Sequence, residues 1–452
     1  MARATSIWNV AFLVCCAGIS FGYGIASIAG VLQTLQKLFA LDLRAEQGLV
    51  FVLVIACFAG AAGAGSLSAR LGRRPVVGFA SLLAAVAYLV IVSAPAYAGL
   101  VAARALAGVS IGLLSTVAPM YAAEISSSQQ RGAMVGLFQL AVTGGILMAY
   151  GASLIWSEPA QWNIVLGGAI VPTVLLMAAL AALPESPRWL AGRGRLQQAN
   201  LAAARLGLMS QWADIAAASS ARAGIRQPYG TLLRQGRVTG VLVLCSTLFI
   251  LQNLSGIDGI LYYAPRIFHD LGFSESKAAL VATFGLGLAN FLATLIGVMA
   301  IDRLGRRPLL IGGSLIMTIG LAAVVAAALY EWPWLGLSGL CLYIVAFAVS
   351  LGPLPYVLMS ELFPLAIREQ GMALASAVCW LFNALIAWTF LSLVAWLGLA
   401  FTISMFAFVC LVSLLISVYF VPETRRISLE QIEANVLAGK PLRWVGRQPG
   451  IE

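Results

Sequence analysis

Residues Gln252 to Pro265, reading QNLSGIDGILYYAP, set Gln252, Asn253, Ser255 and Asp258 into an otherwise apolar run near the middle of a 452-residue chain. Amides bring donors and acceptors together, and a carboxylate brings acceptors, so these residues can hold a polar ligand. An acid at the depth of Asp258 costs a few kcal/mol in hydrocarbon, so it must face water, a partner or a ligand. Gly256 and Gly259 let a ligand or a neighbouring helix approach the backbone, while Tyr262, Tyr263 and Pro265 predict an aromatic plug that ends in a helix break. The stretch reads as a helix lining a cavity.

Composition says what must position that helix. The chain is 61% hydrophobic and 10% charged, far more apolar than a soluble globular protein. A helix needs roughly 20 apolar residues to cross a bilayer. Twelve such runs centre near Ile19, Ala56, Leu83, Gly112, Thr143, Val174, Ile250, Asn290, Leu315, Ala346, Leu385 and Val412. An open sheet cannot satisfy its backbone in lipid, so the fold expected is an all-α, integral membrane protein of twelve transmembrane helices.

Of the 27 lysines and arginines, only Lys37, Arg44, Arg266 and Lys277 fall in loops on the side opposite the termini, and Arg104 lies inside a span. Both termini are therefore expected in the cytoplasm, and the net charge of +10 reflects topology rather than nucleic-acid binding. The seven cysteines, 15, 16, 57, 245, 341, 379 and 410, lie in apolar spans without ligand spacing, so neither a metal nor any other cofactor is expected. The first apolar run is too long for a signal peptide and eleven more follow, so it reads as an uncleaved span.

The chain repeats itself. Arg70-Leu71-Gly72-Arg73-Arg74-Pro75 recurs as Arg303-Leu304-Gly305-Arg306-Arg307-Pro308, Glu124 with Arg131 recurs as Glu361 with Arg368, and Pro184-Glu185-Ser186-Pro187-Arg188 recurs as Pro422-Glu423-Thr424-Arg425. Three motifs displaced by nearly the same distance imply two homologous six-helix halves, residues 1–184 and 238–422. The arginine-rich connection 185–237 predicts short amphipathic helices on the cytoplasmic side, 427–440 predicts another, and 441–452 reads as a disordered part of the 423–452 tail.

This ordered set of motifs, from Phe21-Gly22-Tyr23 to Pro422 and Ser428-Leu429-Glu430-Gln431-Ile432-Glu433, resembles the sugar porters of the major facilitator superfamily over nearly the whole chain. The resemblance implies the major facilitator fold and assigns a sugar site residue by residue. Gln139 matches the family's glutamine in the fifth span, with Ile146 one wall further along. Gln252 matches the first of a glutamine pair whose second member is Asn253 here, and Asp258 stands where the family has a sugar-binding asparagine. Asn290, Phe347, Tyr356, Trp380 and Asn383 fall on polar and aromatic positions of later spans, Tyr356 replacing a tryptophan. Amides bond adjacent hydroxyls and aromatic faces cover the C–H surface of a sugar ring. Helix glue is the competing reading for the amides, and plain packing for Phe347 and Trp380.

Tyr262 and Tyr263 are expected to gate the extracellular side. On the cytoplasmic side, acids Glu124, Glu185, Glu361 and Glu423 with Arg70, Arg74, Arg131, Arg303, Arg307 and Arg368 predict a charge network that forms and breaks between two states. The family's acid before the first loop arginine is Ala69 in this chain, whereas the second repeat keeps Asp302. Proton-coupled members read Phe-Gly-Tyr-Asp in the first span, and this chain reads Phe21-Gly22-Tyr23-Gly24 while keeping Arg104, the arginine that the resemblance pairs with that acid. Asp258, at a similar depth, is the candidate that takes over as partner of Arg104, giving two proton-coupling candidates.

The function expected is movement of a hexose or pentose by alternating access, with proton symport and facilitative sugar or polyol movement as alternatives. Asp258 also admits a cationic substrate. A nutrient sensor on the same fold would carry a long cytoplasmic extension, and the segment after Pro422 is short. Enzyme chemistry is not expected, because the single histidine, His269, sits in an outer loop without a nucleophile or metal-ligand set. The expected partners are the sugar, protons under the symport alternative, and the bilayer.

Overall fold

The computed structural model describes residues 7–127, 130–212, 236–273, 275–364, 368–425, 427 and 429–446. The described residues in regular structure are helical, and twelve helical segments are long and apolar enough to cross a membrane. Two compact units emerge, one drawn from residues 1–41 and 52–226 and the other from 42–51 and 227–452.

The first unit holds the spans Ile7–Ala26, Arg73–Val92, Tyr97–Glu124, Ala133–Ile155 and Pro159–Ala181, together with Leu43–Leu71 from residue 52 onward. Its helices pack backbone to backbone through small residues. A methyl group added at Gly145 would stand 2.5 Å from the carbonyl oxygen of Ile19, and one at Gly108 would strike the carbonyl of Leu53. Without a hydrophobic drive between helices in lipid, such close packing holds the bundle.

The second unit holds Val238–Asp270, Ser276–Ile301, Arg306–Tyr330, Pro333–Leu362, Gly371–Leu397 and Leu399–Tyr419. Two of these spans are broken. The seventh is two helices, Gly236–Leu254 and Ile257–Asp270, turning at Gly256 with φ +89°, where a side chain would run into the Phe406 ring. The tenth is Pro333–Val349 and Leu354–Leu362, interrupted around Ser350 to Pro353. Broken spans expose backbone groups at membrane depth, and side chains must satisfy them.

The expected helix break falls at Tyr263 (φ −118°, ψ 17°), two residues before Pro265, and a further helical stretch runs on to Asp270, because proline removes one N–H and crowds the preceding turn without forbidding the next. One expectation is corrected. Residues 441–446 are ordered rather than a loose tail. The Asn435 amide donates to the Val445 carbonyl at 2.8 Å, and Val445 is fully buried. The connection carries the short helices Pro187–Gly192 and Leu196–Arg205, while the rest of its expected helical content, over 213–235, lies outside the described residues.

Candidate functional site

In the second unit, the break in the tenth span meets the seventh span through one amide. Gln252 Nε2 donates to the carbonyls of Leu351 and Gly352 at 2.9 and 2.8 Å, so both of its donors serve backbone freed by the break. Its Oε1 accepts from Cys379 Sγ at 3.7 Å. Asn253 Nδ2 donates to the Phe249 carbonyl at 2.7 Å and meets Cys379 Sγ at 3.5 Å, and Tyr356 reaches the same sulfur at 3.8 Å while its ring packs edge-on against Phe249. Cys379 thus ties Gln252, Asn253 and Tyr356 together, a role its sequence position did not reveal.

A second chain of bonds runs one helical turn further on. Tyr262 Oη donates to Asn383 Oδ1 at 2.9 Å, and Asn383 Nδ2 donates to Asp258 Oδ1 at 2.8 Å. Asp258 is buried, and its Oδ2 has no hydrogen-bond partner among the described residues. Tyr263 donates to the Ala387 carbonyl at 2.9 Å and lies parallel to Phe390, with ring centroids 5.3 Å apart. Both tyrosines of the expected outer gate are thereby fixed by the eleventh span. Trp380 and Asn290 are buried, and Phe347 stacks on Tyr343 at 6.3 Å.

Residues 42–51 pack with this unit, which the sequence did not announce. The wholly buried Glu46 carboxylate takes Arg266 Nη1 at 3.3 Å, Gln47 bonds Ser392 at 2.9 Å, and Phe51 meets the Trp388 ring at 5.0 Å.

In the first unit, Ile146 is buried and Gln139 half-buried, on one helix. Arg104 is 2% exposed and an electrostatic neighbour of Cys57 and Tyr88. At Gly24 a side chain would collide with the Tyr88 hydroxyl and stand 2.9 Å from Ile111 Cδ1. The place of an acid in the first span is therefore filled by a buried phenol.

Each unit also builds an arginine-rich node. In the first, Arg73 grips Glu124 through Nη2 at 2.9 Å and Nε at 3.0 Å, and Ser186 donates to the same carboxylate. Glu185 accepts the backbone N–H groups of Arg73 at 3.1 Å and of Arg74 at 3.2 Å, capping the helix that Gly72 starts. Burial pushes the Glu185 carboxyl above its ordinary pKa, against the opposing pull of those N–H groups and the Arg73 charge. In the second node, Arg306 Nη2 meets Glu361 at 2.9 Å, Thr424 donates to Glu361, and Glu423 caps the N–H groups of Arg306 and Arg307, both at 3.1 Å.

The structure brings Glu124 with Glu185 and Glu361 with Glu423 into these nodes, and the arginines that bind them are Arg73 and Arg306, which were not among the expected gate residues. Arg70 and Arg303 are exposed, and Arg74 and Arg307 reach the carbonyls of Leu180 and Val418 instead. Arg131, Arg368 and Asp302 lie in helices, and their side chains are outside the described residues.

The sugar (and other) transporter family model matches residues 10–436. The galactose-proton symporter of Escherichia coli is 33% identical over 444 residues, covering 97% of this chain and 96% of that one. The arabinose-proton symporter of the same organism is 32% identical over 443 residues, covering 95% and 93%. Among solved structures, the inward open conformation of the E. coli xylose transporter XylE aligns with a TM-score of 0.81 at 28% identity, covering 95% of this chain and 99% of that one.

Proposed function

The chain belongs to the sugar transporter family, a multi-pass membrane family of transporters rather than enzymes, and from that premise we propose that it moves a monosaccharide, a hexose or pentose, by alternating access. The observation that carries this reading is the buried polar set of the second unit, Gln252, Asn253, Asp258 and Asn383, interleaved with Tyr356 and Trp380. Amides and a carboxylate beside aromatic rings are the groups that bind sugar hydroxyls and cover a sugar's C–H face. In this reading Asn290 and Phe347 extend the second unit's site, Gln139 and Ile146 are the first unit's sugar contacts, Tyr262 and Tyr263 form the outer gate, and the arginine-rich nodes lie in the cytoplasm with both termini, at the cell membrane.

Two driving modes divide the proposal. The relatives named as proton symporters favour symport, in which Asp258 and Arg104 are the coupling residues. The loss of the first-span acid at Gly24, with the Tyr88 hydroxyl in its place, favours facilitative movement. Purified protein in liposomes, given labelled hexoses and pentoses, should exchange at least one of them in a saturable way. Accumulation under an inward proton gradient identifies symport; equilibration without accumulation identifies facilitative movement. Failure to exchange any of these sugars overturns the transport reading.

A further inference from the structure

Asp258 is an acid in a site otherwise built from amides, and its two oxygens have different fates. Oδ1 is taken by Asn383 Nδ2 at 2.8 Å. Asn383 Oδ1 in turn accepts the Tyr262 hydroxyl at 2.9 Å. The whole chain of bonds therefore points its donors at Asp258 and ends there. Oδ2 is left buried and without a partner among the described residues, and the residue is 8% exposed. Among the described residues, Tyr343, Tyr356 and Cys379 also lie within electrostatic reach of Asp258, and none of these three is cationic.

The Asn383 amide, a directed donor to Oδ1, favours a charged carboxylate once a ligand is present. An ionised carboxylate only accepts hydrogen bonds, whereas an amide at the same place would both accept and donate.

Resting on the monosaccharide reading, we infer that Asp258 Oδ2 is a specificity determinant that demands a hydrogen-bond donor from the substrate, and that amino sugars, whose ammonium group also neutralises the buried charge, belong to the substrate class. A hydroxyl satisfies Oδ2. An ammonium group satisfies it more strongly, because it adds the attraction of opposite charges to the hydrogen bond that a hydroxyl also makes. A fluorine, an ether oxygen or a carboxylate placed there leaves two acceptors facing each other.

The test uses the full chain in liposomes, with exchange of the transported parent sugar as the readout. Monodeoxyfluoro and monoaminodeoxy analogues of that sugar, varied position by position, compete with it in wild type and in Asp258→Asn. At one ring position of the sugar, the fluoro analogue should compete about tenfold worse than the parent and the amino analogue about tenfold better. Both differences should shrink in Asp258→Asn. The same ranking in both proteins overturns the assignment. So does a wild type that accepts the fluoro analogue and rejects the amino one, since a protonated Asp258 would then be donating. Should Asp258→Asn fail to fold, the wild-type ranking alone decides. Parent exchange with the wrong ranking removes this inference and leaves the transport reading standing, whereas absence of any sugar exchange removes both.

Discussion

In the first unit, Gly72 with φ +104° ends one span, Arg73 turns back onto Glu124, Ser186 completes that carboxylate, and Glu185 caps the helix that follows. In the second, Gly305 with φ +96°, Arg306, Glu361, Thr424 and Glu423 take the same parts in the same order. The nodes differ around position 69. Trp189 Nε1 donates to the Ala69 carbonyl at 3.0 Å, and the Arg193 guanidinium reaches the same oxygen. Carbonyls in the last turn of a helix lack partners within it, and donors from the connecting segment supply them here. With Ala69 at this position, the first unit holds the helix end through its backbone carbonyl.

The strongest way to break this comparison is to remove one acid from each node. Arg73 and Arg306 keep only 9% and 13% of their side chains exposed. Stranding a buried guanidinium costs about 3 kcal/mol. Glu124→Ala and Glu361→Ala should therefore each lower the thermal unfolding temperature in detergent by a large and similar amount. A large drop in one and none in the other would show that the matched geometry does not carry matched energy.

The repeat was legible because its parts are rigid or costly to place. Glycine between arginines, prolines beside the acids and apolar runs of spanning length each have few physical explanations. Which arginine turns inward was not legible. Arg70, Arg73 and Arg74 are equivalent as a charge run, and only the positive φ of Gly72 selects Arg73. Gln252 was legible as a polar residue in an apolar span, but its bonds to Leu351 and Gly352 depend on a break in another span, which sequence marks only by Gly352 and Pro353. Glu46 with Arg266 was hidden for the same reason, since partners 220 residues apart leave no local pattern.

A smaller effect concerns the cap. Glu185 has its carboxyl pKa raised in the folded protein, chiefly by burial. The native state then holds that proton more tightly than the unfolded chain does. Its contribution to stability is complete below the unfolded-state value and is lost as pH rises through the folded-state value. Relative to Glu185→Gln, which cannot titrate, wild type should lose stability between weakly acidic and neutral pH. Unfolding temperatures of the two proteins that run parallel across that range would rule out Glu185 as the source of any such slope.

The smallest effect bears on what distinguishes the nodes. Trp189→Phe leaves an aromatic ring but deletes the indole N–H bonded to the Ala69 carbonyl, a loss of at least about 1 kcal/mol. Ala69→Asp restores an acid beside Arg193, whose guanidinium already sits on that carbonyl. An exposed pair of this kind contributes about 0.5 kcal/mol. A helix C-terminus disfavours negative charge by a similar amount. Ala69→Asp alone should therefore be nearly neutral, and should become destabilising once Arg193→Ala removes its partner. A double-mutant cycle on unfolding free energy reads this directly. Coupling near 0.5 kcal/mol supports Arg193 as the group that replaced the lost acid's interaction. Zero coupling would mean that Arg193 serves the backbone alone, and that the acid at this position of the repeat had some other neighbour.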